Sequence, residues 1–330
     1  MTYAAITAVA SWLPERRLTN ADLERMVDTN DEWIRTRTGI SERRVAAEGE
    51  ATSDLAARAG ALALERAGLQ AEDVDMLIVA TSSPDMAFPS TACLAQAKMG
   101  LTCPAFDLNA ACTGFIYGLH VATSVIESGR ARNVLLIGAE VLTRLVDFTD
   151  RSTCILFGDG AGAVVVQASQ TPGVLGVHLG ADGTGADLLN VPAGGTAIPL
   201  TPGNISSGLQ YMHMNGNEVF KFAVRAIPKV TRQALHESHL KASDIDWLVP
   251  HQANERITNT VGERLGIAHE RVVNSIALTG NTSTASIPLA LDSLYSAGDL
   301  KAGQVLALVG FGAGLTFGAA IVRLTEEAHL

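Results

Sequence analysis

Residues 71–79, AEDVDMLIV, have a counterpart in ASDIDWLV at residues 242–249. Asp73 corresponds to Asp244, which lies 171 positions later (244 − 73). In both copies a short acidic turn precedes an apolar run, which is the pattern of a turn that leads into a buried strand. The two copies predict that the chain contains the same βα half twice.

A second pair of segments extends this repeat toward the C-terminal side of each half. The helix-like stretch that contains Cys112 ends at Gly129, and the one that contains Asn281 ends at Gly298. Cys112 and Gly129 are 17 positions apart, as are Asn281 and Gly298. Each stretch then leads into an apolar, strand-like run. We therefore predict that Cys112 and Asn281 are equivalent in the repeat, and that a thiol and a carboxamide meet where the halves face each other.

The order of apolar and amphipathic segments predicts a layered α/β fold made of two duplicated βα halves, with the active site at their seam. We place the halves at residues 1–172 and 173–330. In the second half we expect a helix over 217–240, a strand over 272–277 and a loop insertion over 183–207, where Gly, Pro and Thr are frequent.

The composition of the 330-residue chain is that of a large soluble enzyme or binding protein, with 47% apolar and 18% charged residues. A formal charge of −10 argues against nucleic acid as a partner. The N-terminus lacks the basic region of a secretory signal, and Asp159 interrupts the longest apolar run, so we expect no membrane partner. The four cysteines have no metal-ligand spacing, which favours a reducing cytoplasm and no metal.

Cys112 is the strongest candidate for a nucleophile because it lies at the predicted start of a helix among small residues. A helix N-terminus favours an anion by up to ~2 kcal/mol, or about 1.5 pKa units, so we expect the thiol to be close to half ionised at pH 7. The alternative is that Cys112 is a small buried apolar residue. That alternative is our interpretation of Cys93, Cys103 and Cys154.

His251 lies directly after the apolar run DWLV, where α/β proteins place their chemistry, while the equivalent position in the first half holds Ala80. Asn281 alone is typical of a turn or a helix cap. His236 and His239 have helical spacing but no further ligands, so we predict no metal site there. We expect the remaining histidines to be structural: His120, His178, His213, His269 and His329.

In order and spacing, several segments together resemble the decarboxylating condensing enzymes of the thiolase superfamily, most closely the β-ketoacyl-acyl-carrier-protein synthase III family. The resemblance covers nearly the whole chain and implies a thiolase-like layered fold. It rests on Thr38-Gly39-Ile40 with Arg43-Arg44, Ala87 to Ser90, Ala111 to Phe115, Thr149 to Arg151, Phe157 to Gly162, Pro250 to Asn254, Gly280 to Ser283 and Gly310 to Gly314.

This resemblance implies a homodimeric enzyme that starts fatty-acid chains. Cys112 would take the acyl group of an acyl-coenzyme A, while the backbone N–H groups of Cys112 and Ala313 hold the oxyanion. Malonyl-acyl-carrier-protein would then lose carbon dioxide, and His251 and Asn281 would stabilise the enolate oxygen. Many relatives carry Gly at the position of Ala313, so a required positive φ would strain this residue.

The resemblance also implies substrate contacts, with the coenzyme A thioester as a substrate and no cofactor. Phe88 resembles a residue that reaches across the dimer interface and limits the acyl group to short chains such as acetyl or propionyl. Glu263 stands where relatives often carry Lys, which weakens the expected patch for an acidic carrier protein. Coenzyme A contacts are expected at Trp33, Arg37, Arg151 and Asn254, and carrier-protein contacts at Lys221, Arg225, Arg256 and Arg264.

Other functions are compatible with parts of this sequence. The Gly-rich segments 158–162 and 310–314 lack the spacing of a dinucleotide fingerprint and precede strands, so we expect them to form turns beside the active site rather than to bind a nucleotide. A Cys-dependent acyltransferase or thioesterase, and a condensing enzyme of secondary metabolism that takes a longer, branched or aromatic acyl group, stay open. So does the carrier of the malonyl group, which is either acyl carrier protein or coenzyme A.

Overall fold

The computed structural model describes residues 2–326 and 328; His329 lies outside them. Its elements alternate in both parts of the chain, as an α/β fold requires. The strands of the first part are β1 (Tyr3–Trp12), β2 (Arg16–Thr19), β3 (Glu42–Val45), β4 (Met76–Ala80), β5 (Ala105–Leu108), β6 (Asn133–Glu140) and β7 (Gly160–Ser169). Its helices are α1 (Asn20–Leu23), α2 (Asp31–Thr38), α3 (Thr52–Ala67), α4 (Thr91–Met99), α5 (Gly114–Glu127) and α6 (Arg151–Cys154).

The second part repeats this alternation around a longer insertion between its first strand and first long helix. Its strands are β8 (Val174–Ala181), β9 (Leu189–Asn190), β10 (His213–Met214), β11 (Trp247–Pro250), β12 (Val305–Gly312) and β13 (Thr316–Arg323). Its helices are α7 (Gly216–Glu237), α8 (Glu255–Leu265) and α9 (Ser286–Ala297). The expected helix over 217–240 is α7, and the expected loop over 183–207 contains two short 3₁₀ turns and strand β9.

Two mixed sheets organise the molecule. The first has the order β1-β7-β6-β4-β5, and the second has the order β11-β12-β13-β8. In each sheet the strand that follows the acidic turn runs parallel to the strand that follows the central helix, since β4 pairs with β6 and β11 pairs with β12. These equivalent pairings confirm the predicted α/β class.

The strand expected over 272–277 is wrong, because only a single bridge between Leu248 and Val272 forms there. The side chain of Gln252 takes the backbone groups that a longer ladder would need. Its Nε2 donates to the carbonyl of Val273 at 3.1 Å, and its Oε1 accepts from the N–H of Ser275 at 2.9 Å. The chain then turns into a 3₁₀ segment.

The acidic turns are the same in both halves. Asp73 accepts a hydrogen bond from the N–H of Gln70 at 2.8 Å, and Asp244 accepts one from the N–H of Lys241 at 2.8 Å. These carboxylates satisfy N–H groups that the short turns leave open. The repeat seen in the sequence is therefore a repeat of hydrogen bonds.

The entries to the two central helices are also equivalent, but not in the predicted way. Ala111 (φ 46°) precedes α5 and Ser283 (φ 50°) precedes α9. The side chain of Asn109 accepts from the N–H of Ala111 at 3.1 Å, as Asn281 does from Ser283 at 2.9 Å. Asn281 thus corresponds to Asn109, and the predicted equivalence with Cys112 is wrong.

Helix length explains this error. Helix α5 has 14 residues and α9 has 12, and Ser128 separates α5 from Gly129 whereas Gly298 follows α9 directly. Segments aligned at these two glycines are therefore three positions out of register at the helix starts. The equal spacing of 17 positions joined two points that are not equivalent in space. Aligned from the positive-φ residues, Cys112 corresponds to Thr284.

Helices α5 and α9 lie between the two sheets, because one buried cluster joins Leu119 of α5 and Leu291 of α9 with Val164 of β7 and Leu308 of β12. A second cluster packs α3 and α4 on the outer face of the first sheet, and a third packs α7 and α8 on the outer face of the second. The layers place the starts of α5 and α9 side by side. In the described part of the chain, no helix combines the length and apolar character that crossing a bilayer requires.

Candidate active site

Cys112 lies in the turn between β5 and α5, braced by the other half of the molecule. The hydroxyl of Thr316 on β13 donates to the carbonyl of Ala110 at 2.9 Å. Gly312 on β12 passes so close that a Cβ atom there would lie 2.6 Å from the backbone nitrogen of Cys112. The nucleophile is therefore positioned by strands that come from late in the sequence.

Cys112 is 8% exposed. Burial raises the pKa of its thiol to about 12. The hydroxyl of Ser283 lowers the pKa, and the buried carboxyl of Glu140 raises it. The expectation of a half-ionised thiol at pH 7 is wrong, because desolvation outweighs the favourable field of a helix start. The resting nucleophile is a neutral thiol.

His251 follows β11 and is 2% exposed. Its backbone N–H donates to the carbonyl of Val309 at 2.7 Å, and its Nδ1 lies 2.6 Å from the hydroxyl oxygen of Ser286. Its ring meets Phe311 edge to face at 5.6 Å between centroids. Burial lowers the pKa of the imidazole to about 3, so His251 is neutral at physiological pH.

Asn281 is held by backbone bonds at both ends. Its N–H donates to the carbonyl of Leu156 at 2.8 Å, and its carbonyl accepts from Gly158 at 3.0 Å. Because its Oδ1 accepts from the N–H of Ser283, its Nδ2 is the atom left to donate. The side chain therefore presents a neutral hydrogen-bond donor.

Two cavities meet at Cys112. The smaller, of about 100 Å³, is lined by Cys112, His251 and Asn281. The larger, of about 240 Å³, extends from Cys112 under the 189–191 segment. Both are lined by Cys112, Phe157 and Leu189. The larger cavity is otherwise lined mainly by apolar side chains, among them Leu142, Leu145, Val191 and Met212.

Ala313 lies beside Cys112 on the wall of the larger cavity. In residues 2–326 and 328, neither the N–H of Cys112 nor that of Ala313 meets a protein acceptor. The expected strain at Ala313 is wrong, because the left-handed backbone falls on the next residue, Gly314, with φ 133°. An alanine is therefore compatible with an oxyanion donor at this position.

Glu140, at the end of β6, is fully buried behind Cys112 and was missed by the sequence analysis. Its carboxylate accepts from the hydroxyl of Ser83 at 2.6 Å, the N–H of Ser82 at 3.1 Å and the hydroxyl of Thr284 at 3.1 Å. Burial raises its pKa, and these bonds oppose the shift. Glu140 thus joins the loop after β4 to the turn that carries Asn281.

The residues expected to hold coenzyme A form a cluster near the smaller cavity. The Trp33 ring lies 4.8 Å from the guanidinium of Arg151 and 5.9 Å from that of Arg37. Asn254, which lines the smaller cavity, donates from Nδ2 to the carbonyl of Arg37 at 3.0 Å. The aromatic ring and its two cations are therefore tied to the cavity wall.

The four residues of the expected carrier-protein patch lie on α7 and α8, which pack together. The guanidinium of Arg256 lies 5.7 Å from the ring of Phe220, which lines the smaller cavity. Lys221 pairs with Glu218 at 2.7 Å. Arg264 donates to the carbonyl of Val224 at 2.7 Å. Arg225 lies four residues after Lys221 on α7, and its Nε donates to the carbonyl of Lys221 at 3.2 Å.

Two other sequence-based expectations have different outcomes. Phe88 is 85% exposed and lines neither cavity within this chain, so its proposed role depends on a second copy. Of the glycines expected in turns, Gly160 and Gly162 lie in β7 and Gly310 and Gly312 lie in β12, so the expectation is wrong for these four. Gly158 lies before β7, and Gly314 lies in the turn between β12 and β13, as expected. A Cβ atom at Gly162 would lie 2.8 Å from Cβ of Pro288, so this glycine permits close packing between β7 and α9.

Known proteins resemble this chain over most of its length. Residues 106–183 match the family described as 3-Oxoacyl-[acyl-carrier-protein (ACP)] synthase III, and residues 235–324 match its C-terminal family. The chain is 50% identical over 325 residues to a beta-ketoacyl-[acyl-carrier-protein] synthase III of Thiobacillus denitrificans, covering 98% of this chain and 100% of the relative.

Solved structures show the same likeness. A 3-oxoacyl-[acyl-carrier-protein] synthase III from Aquifex aeolicus superposes with a TM-score of 0.90 at 45% identity, covering 98% of this chain and 100% of the other. The priming beta-ketosynthase of the R1128 polyketide pathway superposes with a TM-score of 0.91 at 35% identity, covering 98% and 96%. The fold is thus shared with condensing enzymes.

Proposed function

The chain belongs to the 3-oxoacyl-[acyl-carrier-protein] synthase III family, and from this premise we propose that it starts fatty-acid chains. In this reaction a short acyl-coenzyme A, acetyl-coenzyme A above all, condenses with malonyl-acyl-carrier-protein to give a 3-oxoacyl-acyl-carrier-protein and carbon dioxide. One observation carries the proposal: a thiol, a neutral imidazole and a carboxamide donor line one cavity at Cys112, His251 and Asn281.

In the first half-reaction, Sγ of Cys112 attacks the thioester carbonyl. The new carbon–sulfur bond forms as the bond to coenzyme A breaks, and the thiol proton ends on the departing coenzyme A sulfur. The N–H groups of Cys112 and Ala313 hold the negative charge of the tetrahedral intermediate. A resting thiol with a pKa near 12 fits this sequence, since the proton leaves only when a substrate is present.

In the second half-reaction, malonyl thioester loses carbon dioxide and its bonding electrons form an enolate. Neutral N–H donors at His251 and Asn281 stabilise the enolate oxygen without supplying a full positive charge. The enolate carbon then attacks the acyl group on Cys112, and the released thiolate takes a proton from solvent. A carboxamide suits this role because it donates at any pH.

The two cavities divide the substrate between them. We assign the pantetheine chain to the smaller cavity, which leads toward Asn254 and the Trp33 cluster, and the acyl group to the larger, apolar one. Arg37 and Arg151 would hold phosphates of coenzyme A, with the adenine on Trp33. Lys221, Arg225, Arg256 and Arg264 would receive the acidic carrier protein. No cofactor or metal enters this scheme.

We place the enzyme in the cytoplasm as a homodimer. Strand β5 lies at the edge of its sheet, and Phe106 on this strand is 36% exposed. Phe88 and Met86, in the segment before α4, are 85% and 47% exposed. An exposed strand edge with apolar neighbours is a surface that a second copy would cover. Phe88 would then close the larger cavity of its partner and favour short acyl groups.

The first test is intact-protein mass spectrometry after exposure to an equimolar mixture of acyl-coenzyme A thioesters, with peptide mapping. We expect a short acyl adduct on Cys112, none in Cys112→Ala, and an unchanged adduct in the matched variant Cys93→Ala, whose cysteine is exposed and lies outside both cavities. An adduct elsewhere would overturn the assignment of the nucleophile.

Two further variants separate condensation from simple hydrolysis. His251→Ala and Asn281→Ala should keep acyl transfer to Cys112. The rate of carbon dioxide release from malonyl thioester should fall by about 100-fold or more, as it does when other enzymes lose a donor that stabilises developing charge. Loss of acylation in Asn281→Ala would contradict this division of roles. Hydrolysis of the acyl-enzyme without carbon dioxide release would indicate a thioesterase.

The likeness to a priming ketosynthase of a polyketide pathway supports a second candidate, a condensing enzyme of secondary metabolism. It would use the same residues with a longer, branched or aromatic starter. The mass of the adduct decides between the two.

A further inference from the structure

Ser286 connects the first turn of α9 to the imidazole of His251. Its hydroxyl oxygen lies 2.6 Å from Nδ1 of His251 and accepts the backbone N–H of Gln252 at 3.3 Å. Ser286 is 2% exposed and His251 is also 2% exposed, so neither group has water in place of these partners. The two residues are 35 positions apart in sequence, and the contact joins the segment after β11 to α9.

The number of hydrogen-bond donors around Ser286 determines whether its hydroxyl donates to Nδ1 of His251 or accepts from it. The Gln252 N–H can only donate, so it uses one lone pair of the Ser286 oxygen. If Nδ1 also carried a proton and donated to this oxygen, the hydroxyl hydrogen would have no acceptor among the described contacts of Ser286. A buried donor without a partner costs about 1–3 kcal/mol. The arrangement that satisfies every group has Ser286 donating to an unprotonated Nδ1.

The proton of the neutral ring must then be on Nε2. Within the described residues no protein acceptor contacts Nε2, and His251 lines the smaller cavity. We propose that Ser286 is a positioning residue that fixes the Nε2–H tautomer of His251, so that the ring enters each catalytic cycle as a hydrogen-bond donor. This proposal rests on the proposed function, in which His251 donates to the enolate oxygen.

This tautomer also limits what His251 does. An Nε2 that carries a proton has no lone pair with which to accept the proton of Cys112. The same hydrogen bond therefore keeps His251 from acting as a base toward the thiol and reserves it for the second half-reaction. Loss of the Ser286 hydroxyl should damage condensation and leave acylation intact.

The tautomer is measured directly in the wild-type enzyme by long-range ¹H–¹⁵N correlation of the histidine side chains, with His251 assigned by its absence in His251→Ala. Protonated and unprotonated ring nitrogens resonate far apart, so the spectrum identifies the proton's position. We expect Nε2–H. A spectrum with Nδ1–H would overturn the proposal even if the proposed reaction is correct, because this measurement needs no substrate.

Variants then test the consequence. Ser286→Ala should lower the rate of carbon dioxide release and condensation by roughly 100-fold, the scale on which a misplaced histidine proton acts. Acyl transfer to Cys112 should stay within about 2-fold, which also reports that the site is folded, and Ser286→Thr, which keeps the hydroxyl, should restore most of the rate. Ser293→Ala, on the same helix but with its hydroxyl bonded to Ala290, is the matched control and should change nothing.

Unchanged condensation and an unchanged tautomer in Ser286→Ala would overturn the role of the hydroxyl. Loss of acylation together with condensation would also overturn it, because the effect would then be structural. If the proposed function itself fails, no acyl adduct forms on Cys112 in the wild type, and the tautomer spectrum still decides the position of the proton.

Discussion

Burial shifts the pKa values of Cys112 and His251 in opposite directions, and both shifts favour the uncharged form of the side chain. It raises the pKa of the thiol to about 12 and lowers that of the imidazole to about 3. A thiolate and an imidazolium would each have to exist without water, which costs more than their mutual attraction returns in most buried sites. The resting site therefore holds two neutral groups, and charge develops only with substrate.

The state of the thiol is testable by alkylation. Iodoacetamide reacts with thiolates, so its rate with Cys112 should rise about tenfold per pH unit from pH 7 to pH 10 without a plateau. A thiol that a helix start had half ionised at pH 7 would reach a plateau by about pH 9. The site of modification is followed by peptide mapping, with exposed Cys93 as the internal reference.

The neutral histidine gives stability a defined pH dependence. In the unfolded chain a histidine binds a proton below its ordinary pKa of 6.5, while in the folded protein His251 does so only near pH 3. Its contribution is therefore complete above pH 6.5 and is lost as pH falls toward 3. Between pH 7.5 and 4.5 this group alone should cost about 2.5 kcal/mol of unfolding free energy.

The measurement compares urea unfolding of the wild type with that of His251→Gln at several pH values. The wild type should lose stability relative to the variant as pH falls below 6.5. Parallel curves would show that His251 has the same proton affinity in both states, which contradicts a buried neutral ring.

Two turns built in the same way have taken different tasks. Each has an asparagine that accepts from a positive-φ residue two positions later, at Asn109 with Ala111 and at Asn281 with Ser283. In the first turn the chemistry lies after the strained residue, at Cys112. In the second it lies on the asparagine itself. Duplication thus supplied one scaffold, and each copy places a different atom in the shared cavity.

Gly312 tests how tightly the first turn is held. The Cβ atom of Gly312→Ala would lie 2.6 Å from the nitrogen of Cys112, which is closer than any van der Waals contact. We expect the turn to shift, acylation to slow by more than 10-fold and unfolding free energy to fall by about 1–3 kcal/mol. Gly183→Ala, where no atom lies within 4 Å, should leave both unchanged. Equal acylation rates in the two variants would mean that the turn tolerates displacement.

Glu140 tests the connection between the loops behind the nucleophile. Glu140→Gln keeps the shape but replaces one acceptor oxygen with a donor group, which then faces hydroxyl and N–H donors from Ser82, Ser83 and Thr284. We expect a loss of about 1–3 kcal/mol in urea unfolding. Glu50→Gln, which loses a partly exposed pair with Arg58, should cost less than about 1 kcal/mol. Equal losses would show that Glu140 adds nothing beyond an ordinary ion pair.

At the scale of the whole molecule, the sequence predicted the α/β class, the repeat and the three residues at the shared cavity. Short-range patterns carry this information, because acidic turns and apolar runs repeat along the chain. Ser286, Phe311 and Glu140 were not found, since each acts through contacts with residues distant in sequence. The ionisation of Cys112 was mispredicted for the same reason: burial is a property of the assembled layers.

We predict that Phe88 lies in the interface of a homodimer. Phe88→Asp should shift the enzyme from dimer to monomer in light scattering, because a charge on an 85% exposed apolar side chain is tolerated in water and not in a covered interface. Met26→Asp, at a methionine that is 51% exposed elsewhere on the surface, should stay dimeric. A monomeric wild type would remove the partner's Phe88 from the proposed acyl cavity.

The neutral thiol of Cys112 also affects how fast this residue is oxidised. Peroxide oxidises thiolates far faster than thiols, and the sulfinic and sulfonic products are not readily reversed. A cysteine whose pKa is about 12 offers peroxide almost no thiolate at physiological pH. Cys112 should therefore resist peroxide better than a cysteine that is ionised in the resting enzyme.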